Sequence, residues 1–219
     1  MNNEYINTAL LAILFLMLFG IAELLYYKFN VKADTTRKVV HLGTGLLCLL
    51  FPSMLHSHWF VFFLCGSFAV ILYASLKLNL LKSINAIDRV SYGSLLYPLI
   101  VYICFLIYNY FNNYIYFYLP LLIMSICDPI AAVIGKRWPY GKFYIRKDNK
   151  TIMGSAAFFI SSSIITLILI YFLLPNNDKF LIAFSVALAA TLAEALFVKG
   201  FDNFTIPLSV IMILIVLHV

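Results

Sequence analysis

Charge is scarce in this 219-residue sequence: 15 Lys and Arg with 9 Asp and Glu make up 11% of it, where a soluble domain carries about a quarter. Against 64% apolar residues, that shortage excludes a water-soluble globular domain. Cysteine is equally scarce. Cys48, Cys65, Cys104 and Cys127 all sit inside apolar runs without metal-type spacing, which excludes a disulfide framework and a zinc site and leaves them as small core residues. Glu4 is the single charge before the first apolar run. A basic leader and a small-residue cleavage pattern are both missing, so that run is expected to stay as a span. No basic stretch is long enough, or paired with enough exposed aromatics, to track a nucleic acid strand. The glycine-to-Lys-Ser/Thr spacing of a Walker phosphate loop is also absent.

What the sequence does have is long apolar runs, at about 6–27, 39–55, 59–76, 94–111, 114–134, 152–174, 180–198 and 204–218. A hydrocarbon core about 30 Å thick takes roughly 20 residues per helix, so these runs predict about eight transmembrane helices joined by short connections. The expectation is an all-α polytopic membrane protein, one transmembrane catalytic domain over residues 1–219, with any chemistry built from span ends and loops. Asp128-Pro129 is expected to break or bend the fifth span. Tyr108, Tyr110, Tyr114, Tyr116 and Tyr118 read as part of an interfacial aromatic belt. Fourteen of the fifteen basic residues fall in the first, third, fifth and seventh connections, which the positive-inside rule turns toward the cytoplasm. Both termini are then outside.

Polar residues near membrane depth are costly and point to function. Arg37, Lys38 and His41 open the second span; Asp88 and Arg89 end the third connection; Asp128 lies near the cytoplasmic end of the fifth span; Glu194, Asp202 and Asn203 bracket the seventh connection. The segment at 135–159, GKRWPYGKFYIRKDNKTIMGSAAFF, carries six basic residues followed by Thr151, Gly154 and Ser155 at a helix start. Free N–H groups and the positive end of the helix dipole favour an anion there, and small residues admit a phosphate closely. Thr151 or Ser155 also qualifies as an ordinary helix cap. Polyphosphate chemistry needs a divalent cation, and Mg²⁺ is held by one or two carboxylates, for which Asp128 and Asp202 are the natural pair and Glu194 a third candidate. Glu194, flanked by Ala193 and Ala195, is too deep to cap a helix and needs a partner such as Lys199, Arg37, His41 or a metal. Arg37 and His41, four apart, share one helix face, and Glu23 is a plausible ion-pair partner for either.

Five blocks in order, RKVVHLGTG at 37–45, SYGSLLYP at 91–98, DPIAAVIGKRWPYGK at 128–142, KTIMGS at 150–155 and AEALFVKGFDNFTIPL at 193–208, resemble the CTP-dependent polyprenol kinase family. That family includes dolichol kinases, phytol kinases and CTP-dependent diacylglycerol kinases. The resemblance implies transfer of the CTP γ-phosphate to a lipid alcohol at the cytoplasmic interface, giving a lipid monophosphate and CDP. Matched by motif, Arg37, Lys38 and His41 form the basic block, Asp128 and Gly135 the Asp block, Lys150, Gly154 and Ser155 the Lys-Gly-Ser block, and Glu194, Asp202, Asn203 and Pro207 the last. Lys142, Arg146, Lys147, Lys150 and Thr151 at the sixth-span start are then expected around the triphosphate, with Mg²⁺ on Asp128 and Asp202. Asp128 is expected to orient the hydroxyl or accept its proton, a metal role being equally compatible with its position, and His41 to bind a hydroxyl or phosphate oxygen. Many relatives carry Glu immediately before the Gly-Ser pair, where this chain has Met153.

Two other classes fit the composition. A CTP-dependent cytidylyltransferase acting on a phosphatidate-like lipid shares nucleotide, metal and membrane setting, but such enzymes typically end in Asp-Arg-x-Asp rather than Asp202-Asn203. A small transporter is disfavoured by the absence of an inverted repeat and of mid-membrane charge in most spans. The blocks leave the lipid alcohol itself unnamed.

Overall fold

The computed structural model describes residues 2–86, 91–145, 148–174 and 178–219. Asp88, Arg89, Arg146 and Lys147 lie outside the described residues. Every apolar run forms a helix, because a backbone in hydrocarbon must satisfy its own hydrogen bonds. In chain order these are α1 (Asn2–Tyr27), α2 (Ala33–Cys48) with the short α3 (Phe51–Met54), α4 (His58–Lys77), the short α5 (Lys82–Asn85), α6 (Gly93–Phe111), α7 (Ile115–Leu122), α8 (Asp128–Arg137), α9 (Ile152–Leu173), α10 (Lys179–Leu196) and α11 (Asp202–Val216). Among the described residues, six stretches are long and apolar enough to cross a membrane: Asn3–Tyr27, His58–Lys77, Gly93–Phe111, Ile115–Arg137, Ile152–Leu173 and Lys179–Leu196. The α2–α3 pair and the 15-residue α11 are shorter.

The fifth apolar run departs from the expected break. Asp128-Pro129 does not break it; α7 passes into α8 through a π-helical segment, Ile123–Cys127. Pro129 sits in the first turn of α8, and the N–H it lacks is the one that would reach back to Ser125, inside that segment. A second departure is a β-hairpin between α8 and α9, β1 (Lys142–Ile145) antiparallel to β2 (Asp148–Thr151), with Lys142 opposite Thr151.

α9 packs between α8 and α10, α10 against α11, α4 against α6, and α1 against α2. The core is aromatic at its centre, where Phe117 meets Phe51 with near-parallel rings and Phe105 edge-on. All four cysteines are free and buried. Large apolar side chains also cover the outer surface, with Phe180 79% and Phe172 74% exposed, an arrangement that lipid solvates and water would not.

The connections sort to two ends of the bundle. Glu4 Oε1 accepts from the backbone of His56 at 2.7 Å and Ser57 at 3.2 Å, and Tyr116 OH donates to Val219 O at 2.8 Å. Both termini therefore sit with the second and fourth connections. At the opposite end, residues from the first, fifth and seventh connections surround one chamber, and the third adjoins it through Ser91, which accepts from Arg37.

Candidate active site

The chamber begins with the first two turns of α2. Asp34 accepts from Lys38, one turn on, at 3.1 Å and from Lys136 of α8 at 2.6 Å, which ties the two helices together. Burial pushes the Asp34 carboxyl up, but hydrogen bonds from Lys136 and Lys38 outweigh it and hold the pKa at about 2. Arg37 points to another wall and donates to Ser91 Oγ at 3.1 Å. His41 Nε2 lies 3.0 Å from Met124 O, a carbonyl of the π-helical segment. A carbonyl only accepts, so Nε2 carries the proton and Nδ1 is the remaining acceptor. The His41 ring also meets Tyr97 edge-on at 5.0 Å, and Tyr97 OH donates to His41 O.

α8, the hairpin and α9 form the opposite wall. Gly141, at φ +65°, turns the chain into β1, and Ile152 N closes the base of the hairpin onto Gly141 O. Thr151 Oγ1 accepts from Gly154 N at 3.0 Å, so Thr151 is the N-cap of α9, the ordinary reading of that residue. Backbone approach at this corner is close: a Cβ on Gly135 would lie 2.6 Å from Thr151 Oγ1 and 3.3 Å from Gly154 Cα. Gly135→Val is therefore expected to push α8 off the α9 N-terminus and lower turnover about 10²-fold, the cost of an ångström-scale misplacement. Steady-state rates beside an unchanged far-ultraviolet circular dichroism spectrum check this.

α10 and α11 supply the carboxylates. Glu194, 6% exposed, has a partner that was not among the side chains named from sequence: Lys150 Nζ donates to its Oε1 at 2.5 Å and also to its backbone carbonyl. Glu194 Oε2 and Ser155 Oγ, also on the chamber wall, are buried without a hydrogen-bond partner among the described residues. Asp202 lies half-buried in the first turn of α11, its Oδ1 accepting from Asn203 N at 3.0 Å. Asn203 Nδ2 donates to Gly93 O at 3.1 Å, which fastens α11 to α6. Gly200 makes that junction fit: at φ +87°, its Cβ would fall 2.2 Å from Gly93 N. Glu23 accepts from Ser83 N at 2.9 Å at the start of α5.

The resulting chamber has a volume of about 520 Å³. It brings together Arg37, Lys38, His41, Asp128, Lys142 and Lys150, and with them Thr151, Gly154, Ser155, Glu194, Asp202 and Asn203. Gly135 also lines it, as do Asp34, Lys136, Asn149, Lys199 and Gly200, which were not singled out as site residues from sequence. Met153 is 40% exposed and is not among the residues of that wall. Six cations and four carboxylates line the chamber among the described residues, an excess of positive charge suited to a polyanion. Asp128 faces Asp202 and Glu194 as its negative neighbours and Lys150 and Arg37 as its positive ones. No group of three or more His, Cys, Asp or Glu side chains gathers as a metal site among the described residues. Mg²⁺ does not require one: a pair of carboxylates plus phosphate oxygens and water suffices, and the hard oxygens of Asp128, Asp202 and the orphaned Glu194 Oε2 fit that donor chemistry.

Fold and site together define an integral membrane protein with a chamber lined by cations and carboxylates at one end of its helical bundle. The chain is 30% identical over 191 residues to a phytol kinase of Synechocystis sp., an alignment that covers 85% of this chain and 81% of that protein. It belongs to the CTP-dependent polyprenol and phytol kinase family. No family model matches the chain. No solved structure matches it either.

Proposed function

We propose that the protein transfers the γ-phosphate of CTP to a prenol-type lipid alcohol such as phytol, with Mg²⁺ at Asp128 and Asp202, releasing the lipid monophosphate and CDP. The observation that carries this reading is the convergence of Lys142, Lys150 and the α9 N-terminus with Asp128 and Asp202 on one chamber at the membrane-facing bundle's end. Kinship to a phytol kinase supports the acceptor class. We read all eight helical passes as spans, with the chamber on the cytoplasmic side and both termini outside. The charge alternation and the gathering of the odd connections at one end support that topology, and residues 1–219 then act as one transmembrane catalytic domain.

In phosphoryl transfer, positioning and charge neutralisation supply most of the rate. Lys142 and Arg37 bind the phosphate oxygens beside the positive dipole end of α9, whose first N–H groups are already taken by Gly141 O, Tyr140 O and Thr151 Oγ1, and Lys150, held by Glu194, presents its charge to them from a fixed position. Mg²⁺ bound by the carboxylates would neutralise charge on the same oxygens. His41, with Nε2 tied to Met124 O, offers Nδ1 to the acceptor hydroxyl. The hydroxyl oxygen bonds to the γ-phosphorus as the bond from that phosphorus to the β–γ bridging oxygen breaks; the bridging oxygen leaves with CDP, and Asp128 takes the hydroxyl proton. The test is purified protein in detergent with CTP, Mg²⁺ and phytol, products separated by lipid chromatography. A phytyl monophosphate spot that requires all three is expected; none above the no-enzyme control refutes the reading.

A further inference from the structure

A second cavity opens from the chamber into the bundle between α1, α2, α4 and α6, and Arg37, His41 and Asn203 line both. Away from that shared mouth its walls are almost wholly apolar, and it ends among Cys48, Phe51, Leu64 and Cys65. The direction follows from helix register. On α2, Arg37 stands at the mouth and Cys48 lies eleven residues on, about 16 Å at 1.5 Å per residue, or half of a roughly 30 Å hydrocarbon core. On α6, Ser94 lies near the mouth and Val101 two turns deeper. The cavity is narrow, about 80 Å³ by the measure that gives the chamber about 520 Å³. Such a volume takes atoms in single file rather than two chains abreast.

We propose that this slot receives the hydrocarbon chain of the acceptor, hydroxyl at Arg37, His41 and Asn203 and tail toward Cys48 and Cys65, so that the acceptor is a single-chain prenyl alcohol and not a two-chain glyceride. The proposal rests on the kinase reading for the word acceptor. Its physical basis is the slot itself: an apolar channel with a few polar groups confined to one end fixes the orientation of an amphiphile with one tail. Continuity with the chamber selects that amphiphile, because the polar end of anything lying in the slot emerges beside Asp128, Lys150 and Asp202. The far end then measures chain length, since side chains from α2 and α4 close it.

Two experiments decide this. In the first, kcat/KM is measured for prenyl alcohols of 10, 15 and 20 carbons and for diacylglycerol, in wild type and in Cys65→Phe and Cys48→Phe, which fill the far end from different helices. The wild type is expected to use diacylglycerol at least tenfold less well than the best prenyl alcohol; each variant should lose about tenfold or more on the longest alcohol that the wild type uses while changing little on the shortest. Equal loss on every alcohol, or diacylglycerol as the best acceptor, overturns the slot. In the second, a phytol bearing a diazirine at its tail end is photolysed with wild-type protein in liposomes and the adducts are mapped by peptide mass spectrometry. Adducts on Cys48, Phe51, Leu64, Cys65 and Phe68 support the slot, and adducts confined to lipid-facing positions such as Phe62, Phe63, Phe172 and Phe180 overturn it. This readout needs no turnover, so a protein that phosphorylates nothing refutes the kinase reading while the adduct map still decides the slot.

Discussion

Asp202→Asn is expected to lower phosphate transfer at least 10²–10³-fold, the scale of losing one fixed electrostatic partner of a transferring group. Asn keeps the size of the side chain and an oxygen that can still accept from Asn203 N, so the first turn of α11 and its attachment to Gly93 persist. Only the charge disappears. Helix content and recovery from the membrane fraction should match wild type, and Lys82→Ala, on the short α5 and away from the chamber wall, should leave the rate within about twofold. Initial rates over a range of Mg²⁺ concentrations make the comparison. A variant with near-normal turnover at low Mg²⁺ would remove Asp202 from the metal site.

Glu194→Leu is expected to destabilise the protein by about 3–5 kcal/mol, because it leaves the Lys150 ammonium desolvated with no carboxylate beside it. The pair is well enclosed, with side chains 15% and 8% exposed. Lys150→Met alone should also destabilise, since it strands the Glu194 carboxylate, whose second oxygen already lacks a hydrogen-bond partner among the described residues. Replacing both, Lys150→Met with Glu194→Leu, removes two buried charges at once and should recover most of the lost stability. Transfer should remain absent in the double variant, since the phosphate then loses its fixed cation. Thermal melts in detergent and initial rates on the four proteins form the cycle. Recovery of both stability and transfer would show that the pair is structural alone.

Much of the architecture is written at the scale at which membrane chains are constrained. Apolar runs of about 20 residues mark the helices, and the placement of Lys and Arg sorts the connections that meet at the chamber. The chamber residues named from sequence and described in the structure converge for a related reason: charged groups in so apolar a chain have few places to go. The partners within that convergence were not legible. Lys150 finds Glu194 across 44 residues, and no local pattern distinguishes Glu194 from a carboxylate awaiting Lys199 or Arg37. The π-helical segment is equally hidden, since IMSIC is ordinary apolar helix sequence and Pro129 signals a disturbance without fixing its form. The hairpin escaped because four-residue strands offer too short an alternation, KFYI and DNKT, to stand out beside a basic loop. The contact of Gly200 with Gly93 depends on the approach of two helix ends that sequence leaves separate.

The central claim, that the lipid receives a phosphoryl group rather than a nucleotide, is tested most directly by following two labels in parallel. Purified protein with Mg²⁺ and phytol is given CTP labelled either at the γ- or at the α-phosphate, and the lipid fraction is counted. Label from the γ-position alone in the lipid, with equimolar CDP in the aqueous phase, is the expected result. Lipid labelled from the α-position with release of pyrophosphate, or no label in the lipid from either, would contradict it.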